Sequence, residues 1–425
     1  MRLNLSLNHP LLALGTRLSA AGVSFVFGVV AARLLGLEQF GQFSVMLAFF
    51  NVGVVVALLG HESLAVRNIA AATGSEETKP VLPAYRSAAI NHVWVIGVLV
   101  ACLEFVLLKC LPVGDSIRGE WFLLMALIPL VARTRLSQAM LRGAHLSSLA
   151  IIPDGLLRPL ISLSIVVFTA SIIRTDSILI LVAAMFFSSI VSLWIAGIWE
   201  RSKLGALKLN RLENFRDISS QLSYAMFASS LFAVLDSQLA LIMVGNLSGA
   251  AQAGLYSGAE RFSLAASLVG QAIYMAIASK IAQSHSVGDA ESLHRLLRNT
   301  TRYVGVTTMT LCAVVYVFSE QLLALYGQDF EGAKATLLVL LIGVTLNAWA
   351  GPTGQLLLMT RNERFHLLSL AMSLSVQFVF LIILVPKYGT LGAAASLLAS
   401  ISIWNLIMMF FIKRRLNINP ILALA

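Results

Sequence analysis

Residues 11–35 read LLALGTRLSAAGVSFVFGVVAARLL, and Arg17 and Arg33 are the only charged side chains in the run. A helix rises about 1.5 Å per residue, so a run of this length crosses the roughly 30 Å of bilayer hydrocarbon. It is too long for the core of a signal peptide, and no convincing cleavage site follows it, so no cleavable leader is expected. The alternation of a barrel strand is missing. In lipid every backbone polar group must be satisfied within the segment, so the run is expected to be a transmembrane helix.

Working outward, comparable runs recur along the whole chain. The expected spans are 11–35, 43–60, 87–108, 121–141, 150–170, 178–198, 218–243, 254–279, 300–318, 335–359, 365–385 and 391–412. Arg133, Arg135, Asp154 and Arg158 interrupt the fourth and fifth. The 425 residues are 58% hydrophobic and 12% charged, with a mean hydropathy of +0.86. Soluble domains carry about 25% charged residues, so the material for a hydrated surface is missing. The longest connections, His61 to Arg86 and Trp199 to Asp217, are too short for a folded extramembrane domain. The expected fold class is therefore an all-α polytopic membrane protein. It has about twelve transmembrane helices in two six-helix bundles, residues 1–210 and 211–425.

Lys and Arg gather on the cytoplasmic side of membrane proteins. With the N-terminus inside, eighteen of the 30 Lys and Arg fall on inner segments, including Arg67, Arg86, Arg142, Arg201, Arg295 and Arg364. The outer segments hold six: Arg33, Lys109, Arg118, Arg174, Lys334 and Lys387. Both termini are therefore expected in the cytoplasm. The net charge of +10 is then directed at the anionic inner leaflet, and nucleic acid is not an expected partner. Residues 289–298 (DAESLHRLLR) read as a short amphipathic surface helix with Leu293, Leu296 and Leu297 on one side.

The chain repeats itself. Gly36, Gln39, Gly41 and Ser44 match Gly249, Gln252, Gly254 and Ser257, and Phe43 matches Tyr256, each offset by 213 residues. Gly114 and Gly119 match Gly327 and Gly332 at the same offset. These stretches read as outer loops. Each half holds an even number of spans, so the halves should share orientation about a pseudo-two-fold axis along the membrane normal. Transporters built this way hold their substrate between the halves and work by alternating access.

Charges inside the spans are few, and such groups should face a bundle interior or a wet cavity. The cations are Arg17, Arg133, Arg135, Arg158, Arg261 and Arg302, and all are arginine. The acids are Glu104, Asp154, Asp236 and Glu260. Guanidinium forks suit phosphate or carboxylate, so the six arginines are candidates for a cationic cavity receiving an anionic head group, with Arg17, Arg133, Arg135 and Arg158 foremost. Asp154 and Arg158 are four apart on one helix face and can pair. Arg33, Glu104 and Arg302 lie near span ends and can snorkel. Asp236, Asp154 and Glu260 are candidates for coupling to a proton or sodium gradient. Gly351-Pro352 interrupts the tenth span and Pro159 falls in the fifth, where helix kinks are expected.

No phosphate-binding loop, zinc motif or nucleophile elbow occurs, no cofactor is expected, and the chain does not read as an enzyme. Cys102, Cys110 and Cys312 lack metal spacing, and His92 reads as a helix-packing residue. The residues leave three other readings open: a drug or cation antiporter with acidic cavity groups, a glycan polymerase or ligase with a large catalytic outer loop, and a scaffold.

Four sets of motifs stand out in order along the chain: Ala32-Arg33-Leu34-Leu35-Gly36 with Phe40-Gly41 and Phe43, then Gly60 and Arg67; Asp236 with Gly254-Leu255-Tyr256; Tyr326-Gly327 through Phe330 and Gly332-Ala333; and Pro386-Lys387-Tyr388-Gly389 with Gly392-Ala393-Ala394. In order and spacing they resemble the polysaccharide (O-antigen type) flippases of the multidrug/oligosaccharidyl-lipid/polysaccharide exporter superfamily, over nearly the whole chain. The resemblance implies twelve helices in two bundles that carry undecaprenyl-diphosphate-linked oligosaccharide from the cytoplasmic to the periplasmic leaflet of the bacterial inner membrane, for lipopolysaccharide and other surface polysaccharides. The lipid-linked oligosaccharide would be the substrate and its diphosphate the anionic group. Membrane lipids, the polysaccharide polymerase and the chain-length machinery would be the partners.

Overall fold

The computed structural model describes residues 10–74, 82–108, 118–173, 177–205, 224–287, 289–360 and 362–416. Cys110, Gly114 and most of the connection between the two halves lie outside these residues. The described residues form helices and no strand. In chain order these are α1 (Pro10–Leu58), α2 (His61–Gly74), α3 (Leu82–Leu108), α4 (Arg118–Met125), α5 (Ile128–Gly143) and α6 (Ser147–Ile151). A single π-helical segment, Ile152–Leu157, leads into α7 (Arg158–Ile173), followed by α8 (Ile178–Leu204). The second half holds α9 (Tyr224–Ser248), α10 (Ala250–Val287), α11 (Ala290–Val317), α12 (Ser319–Ala324), α13 (Lys334–Ala350), α14 (Thr353–Met359) and α15 (Glu363–Leu416).

Among the described residues, nine helices are long and apolar enough to cross a membrane. Two of these are bent pairs: α1 turns at Gly36 (φ 71°) and α15 at Gly389 (φ 55°). The first turn corrects the sequence reading of residues 35–44 as a loop, because helix resumes directly after Gly36. Gly249 (φ 89°) makes the matching turn between α9 and α10. A left-handed residue costs a side chain with a Cβ about 1–2 kcal/mol, which explains glycine at both equivalent positions. The tenth expected span does break at Gly351-Pro352, between α13 and α14.

The chain divides into two compact units: Met1–Gly36 with Met46–Val234, and Leu37–Val45 with Leu235–Ala425. The second unit thus includes nine residues of α1, which carry the first copy of the repeat. Gly41 and Gly254 meet there backbone to backbone. A Cβ on Gly41 would stand 1.8 Å from the Ala250 carbonyl oxygen, and one on Gly254 would stand 2.4 Å from that of Leu37. Around them the motif aromatics converge, with Phe40 in edge contact with Tyr326 (5.9 Å) and Phe330 (5.7 Å). The residues that carry the family resemblance here are therefore packing residues.

Residues 289–298 are not a membrane-surface helix. The Asp289 side chain accepts a hydrogen bond from Ser292 N at 2.9 Å and caps α11, which runs on unbroken to Val317. Leu293 and Leu297 are buried against Ile281, Leu356, Leu357, Met408 and Ile412. The apolar stripe is spent on the protein's own core, where lipid had been expected. In the first unit, His92 packs beside His61, with their ring nitrogens 3.2 Å apart. Glu104 does not snorkel either. Its Oε2 is buried, and a Cβ on Gly53 of α1 would stand 2.5 Å from its Oε1.

Candidate anion-binding site

Helix α5 reads IPLVARTRLSQAMLRG, with Arg133 and Arg135 two residues apart. At about 100° per residue, two positions place side chains on nearly opposite sides of a helix. The two arginines therefore meet different partners, and both partners are carboxylates in the same unit.

Arg133 turns to Glu200 near the end of α8. Its Nη2 lies 2.8 Å from Glu200 Oε2, and that oxygen also accepts from Ser137 Oγ at 2.7 Å. Arg133 Nη1 donates to Ser137 Oγ as well. On the other side, Arg86 Nη2 donates to Glu200 Oε1 at 3.0 Å. Arg86 Nη1 donates to the carbonyls of Leu204 (2.9 Å) and Gly205 (3.1 Å), which close the C-terminus of α8. A cation at a helix C-terminus also opposes the helix dipole. All three charged side chains are buried. This is a dry, directed network that ties α3, α5 and α8 together.

Arg135 turns the other way, to Asp154 on the π-helical turn, with Nε 3.7 Å from Oδ2. Its Nη2 reaches Asn51 Oδ1 of α1 at 3.5 Å. Arg158, at the start of α7, completes the group with Nε 2.9 Å from Asp154 Oδ1. Single-turn π segments recur at functional sites because they re-aim side chains and leave backbone groups loosely paired. Here the π turn, Ile152–Leu157, contains Pro153 and Gly155 and is followed by Pro159. A Cβ on Gly155 would stand 3.5 Å from Ala20 Cβ of α1, one helical turn beyond Arg17. The cluster has two cations and one anion, and all three side chains keep partial exposure.

The remaining candidates are dispersed. Arg17 and Arg302 are exposed on α1 and α11. In the second unit, the Arg261 guanidinium lies over the Phe40 ring, 5.5 Å from its centroid, as a cation–π pair. Asp236 lies against Ser400, and Gln377 Nε2 donates to its backbone carbonyl at 3.2 Å. Asp236 and Glu260 both stand near the buried Tyr256 phenol. Sequence reading missed Arg86, Glu200 and Asn51. Glu200 falls two residues past the expected end of its span, while α8 continues to Leu204. Nothing local marks Asn51.

The family model described as polysaccharide biosynthesis protein matches residues 11–285, well over half of the chain. The chain belongs to the polysaccharide biosynthesis protein family. Solved structures similar to this family member include an inward-facing multidrug-resistance MATE transporter of the MOP superfamily, at 12% identity and TM-score 0.77, covering 96% of this chain and 98% of that one. The lipid II flippase MurJ in an inward closed conformation matches at 14% identity and TM-score 0.73, covering 95% and 87%. A MOP-superfamily transporter from Pyrococcus furiosus, described as having a binding pocket of reversed polarity, matches at 13% identity and TM-score 0.71, covering 96% and 95%. The comparison with curated proteins gave no match. At these identities the structural likeness establishes the fold: this polysaccharide biosynthesis family member is a multi-pass membrane protein with the architecture of MOP-superfamily transporters and flippases.

Proposed function

We propose that the protein is a flippase that moves undecaprenyl-diphosphate-linked oligosaccharide units across the bacterial inner membrane by alternating access, supplying surface polysaccharides such as O-antigen. Both termini are cytoplasmic in this reading, and polymerase and chain-length machinery act on the product. The observation that carries it is the partly exposed Arg135–Asp154–Arg158 cluster, whose cation excess suits a lipid diphosphate. Family membership in polysaccharide biosynthesis supports the glycan half of the substrate. The antiporter reading would favour a cluster with excess acid, and this one has the opposite sign. Energy comes from a proton or sodium gradient through Asp236, whose neighbours Ser400, Gln377 and Tyr256 supply oxygen ligands or hydrogen bonds.

The test is deletion of the gene, followed by identification of the lipid-linked glycan that accumulates. Intact intermediate on the cytoplasmic leaflet is the expected result. Normal flipping with unpolymerised units outside would replace the flippase with a polymerase. On complementation, an R135Q/R158Q double variant at normal protein level should lower flux roughly tenfold to hundredfold, since a hydrogen bond to a charged group is worth about 1.5–3 kcal/mol.

A further inference from the structure

We propose that Asp154 is a resident counter-anion: it occupies the phosphate position between Arg135 and Arg158 while the carrier is empty, and yields that position when a phosphoester anion arrives. This rests on the reading of the cluster as the anion site and adds a role for its one acidic member.

Three observations carry the inference. First, the carboxylate is held by charge with little directed bonding. Arg158 Nε is 2.9 Å from Asp154 Oδ1, yet that buried oxygen has no partner of hydrogen-bonding geometry, and the contact to Arg135 is 3.7 Å. Second, both guanidiniums meet Asp154 through Nε, so neither spends its paired Nη fork on it. Arg158 Nη1 is buried and hydrogen-bonded to nothing among the described residues. A buried donor without an acceptor costs about 1–3 kcal/mol or more when charged, and a phosphate oxygen would remove that cost. Third, Asp154 sits within the π-helical turn, which Arg158 closes with its backbone N–H on Pro153 O, while Arg135 sits on the regular helix α5. The anion is thus on the irregular stretch of backbone, the kind of segment that re-aims a side chain.

The arrangement answers a physical problem of a carrier for anions. After release it must return empty, and two bare guanidiniums in a low-dielectric environment cost several kcal/mol. A carboxylate that closes on them lowers that cost. It must then compete with substrate, so affinity is given up for an easier return. A diphosphate outcompetes it, because its two phosphates together offer more charge and more non-bridging oxygens than one carboxylate, enough to engage both guanidinium forks.

The experiment uses the purified full-length protein and geranyl diphosphate as a soluble probe, with geraniol as the control lacking the anion. D154N should bind geranyl diphosphate about tenfold more tightly than wild type while transporting more slowly, and D154E should behave as wild type. Unchanged or weaker binding by a folded D154N would overturn the inference and make Asp154 a positioning residue. Should D154N not fold, wild-type protein decides the matter through carbodiimide labelling of Asp154 read by mass spectrometry. Labelling should rise with geranyl diphosphate and stay level with geraniol; constant or reduced labelling with the diphosphate would overturn the proposal. If R135Q/R158Q leaves probe binding intact, the anion site itself is wrong. If that variant abolishes binding while D154N fails to tighten it, only the counter-anion role falls.

Discussion

Two clusters of the first unit have the same formula, two arginines around one carboxylate, and α5 contributes an arginine to each. Around Glu200, the side chains of Arg86, Arg133 and Glu200 are 1%, 9% and 1% exposed, and both carboxylate oxygens accept directed hydrogen bonds. Around Asp154, the exposures of Arg135, Arg158 and Asp154 are 25%, 19% and 13%, the contacts are longer or misdirected, and Asp154 Oδ1 accepts no directed hydrogen bond. The difference teaches that charge count does not distinguish a structural ion network from a binding site. Hydrogen-bond satisfaction of the carboxylate does. Arg86 Nε in the buried network is also without an acceptor, but both Glu200 oxygens are engaged and hold the geometry, whereas a carboxylate held mainly by charge can give way to a ligand.

The comparison can be broken by removing each carboxylate in turn. E200A strands two buried guanidiniums and should destabilise the protein by about 3–5 kcal/mol, read as loss of monodisperse protein or a lowered unfolding midpoint in detergent. D154N also bares two guanidiniums, but partly exposed ones, and should lower that midpoint clearly less. Equal losses at the two sites would erase the distinction drawn between them.

Lysine substitutions sharpen it further. R133K loses the fork that serves Glu200 and Ser137 together, and should cost about 1–3 kcal/mol of stability. R135K should cost little stability and appear instead as weaker probe binding. The smallest effect is expected at the exposed pair Lys334 Nζ–Glu320 Oε1 (2.6 Å) of the second unit. Its hydrogen bond from Lys334, with the ammonium charge, holds the Glu320 carboxyl below the usual range. Exposed pairs are screened by water and salt, so E320Q should leave the unfolding midpoint at neutral pH where it was.

Much of the fold was legible because it follows from the solvent. Long apolar runs in lipid have one way to satisfy their backbone, so α3 and α8 fall close to their expected limits. The turns at Gly36 and Gly249 were visible as a repeat, although helix on both sides of Gly36 was not expected, since a single left-handed glycine redirects a helix without a loop. The amphipathic stripe of residues 289–298 was read correctly as a pattern and assigned to the wrong partner. Periodicity shows that a face will be buried and is silent on what buries it.

The candidate site was legible only as a set of residue types. Arg135, Asp154 and Arg158 were all on the sequence-derived roll, but so was Arg133, and Glu200 and Asn51 were not. An i,i+4 pair such as Asp154–Arg158 lies within one helix turn and can be read from spacing. The contacts of Arg133 with Glu200 and of Arg135 with Asn51 join residues 67 and 84 positions apart. Spacing along one helix carries no information about those separations.

The sequence by itself determined that the chain is helical, that it is built for lipid, that it repeats at half its length, and that its buried cations are arginines. These follow from composition and local periodicity, which act over one or two turns. Only the tertiary structure decided which carboxylate each arginine meets, and so which carboxylate is locked at both oxygens and which is held mainly by charge. That choice depends on how α1, α5, α7 and α8 pack side by side, and in a bilayer any apolar helix face can cover any other.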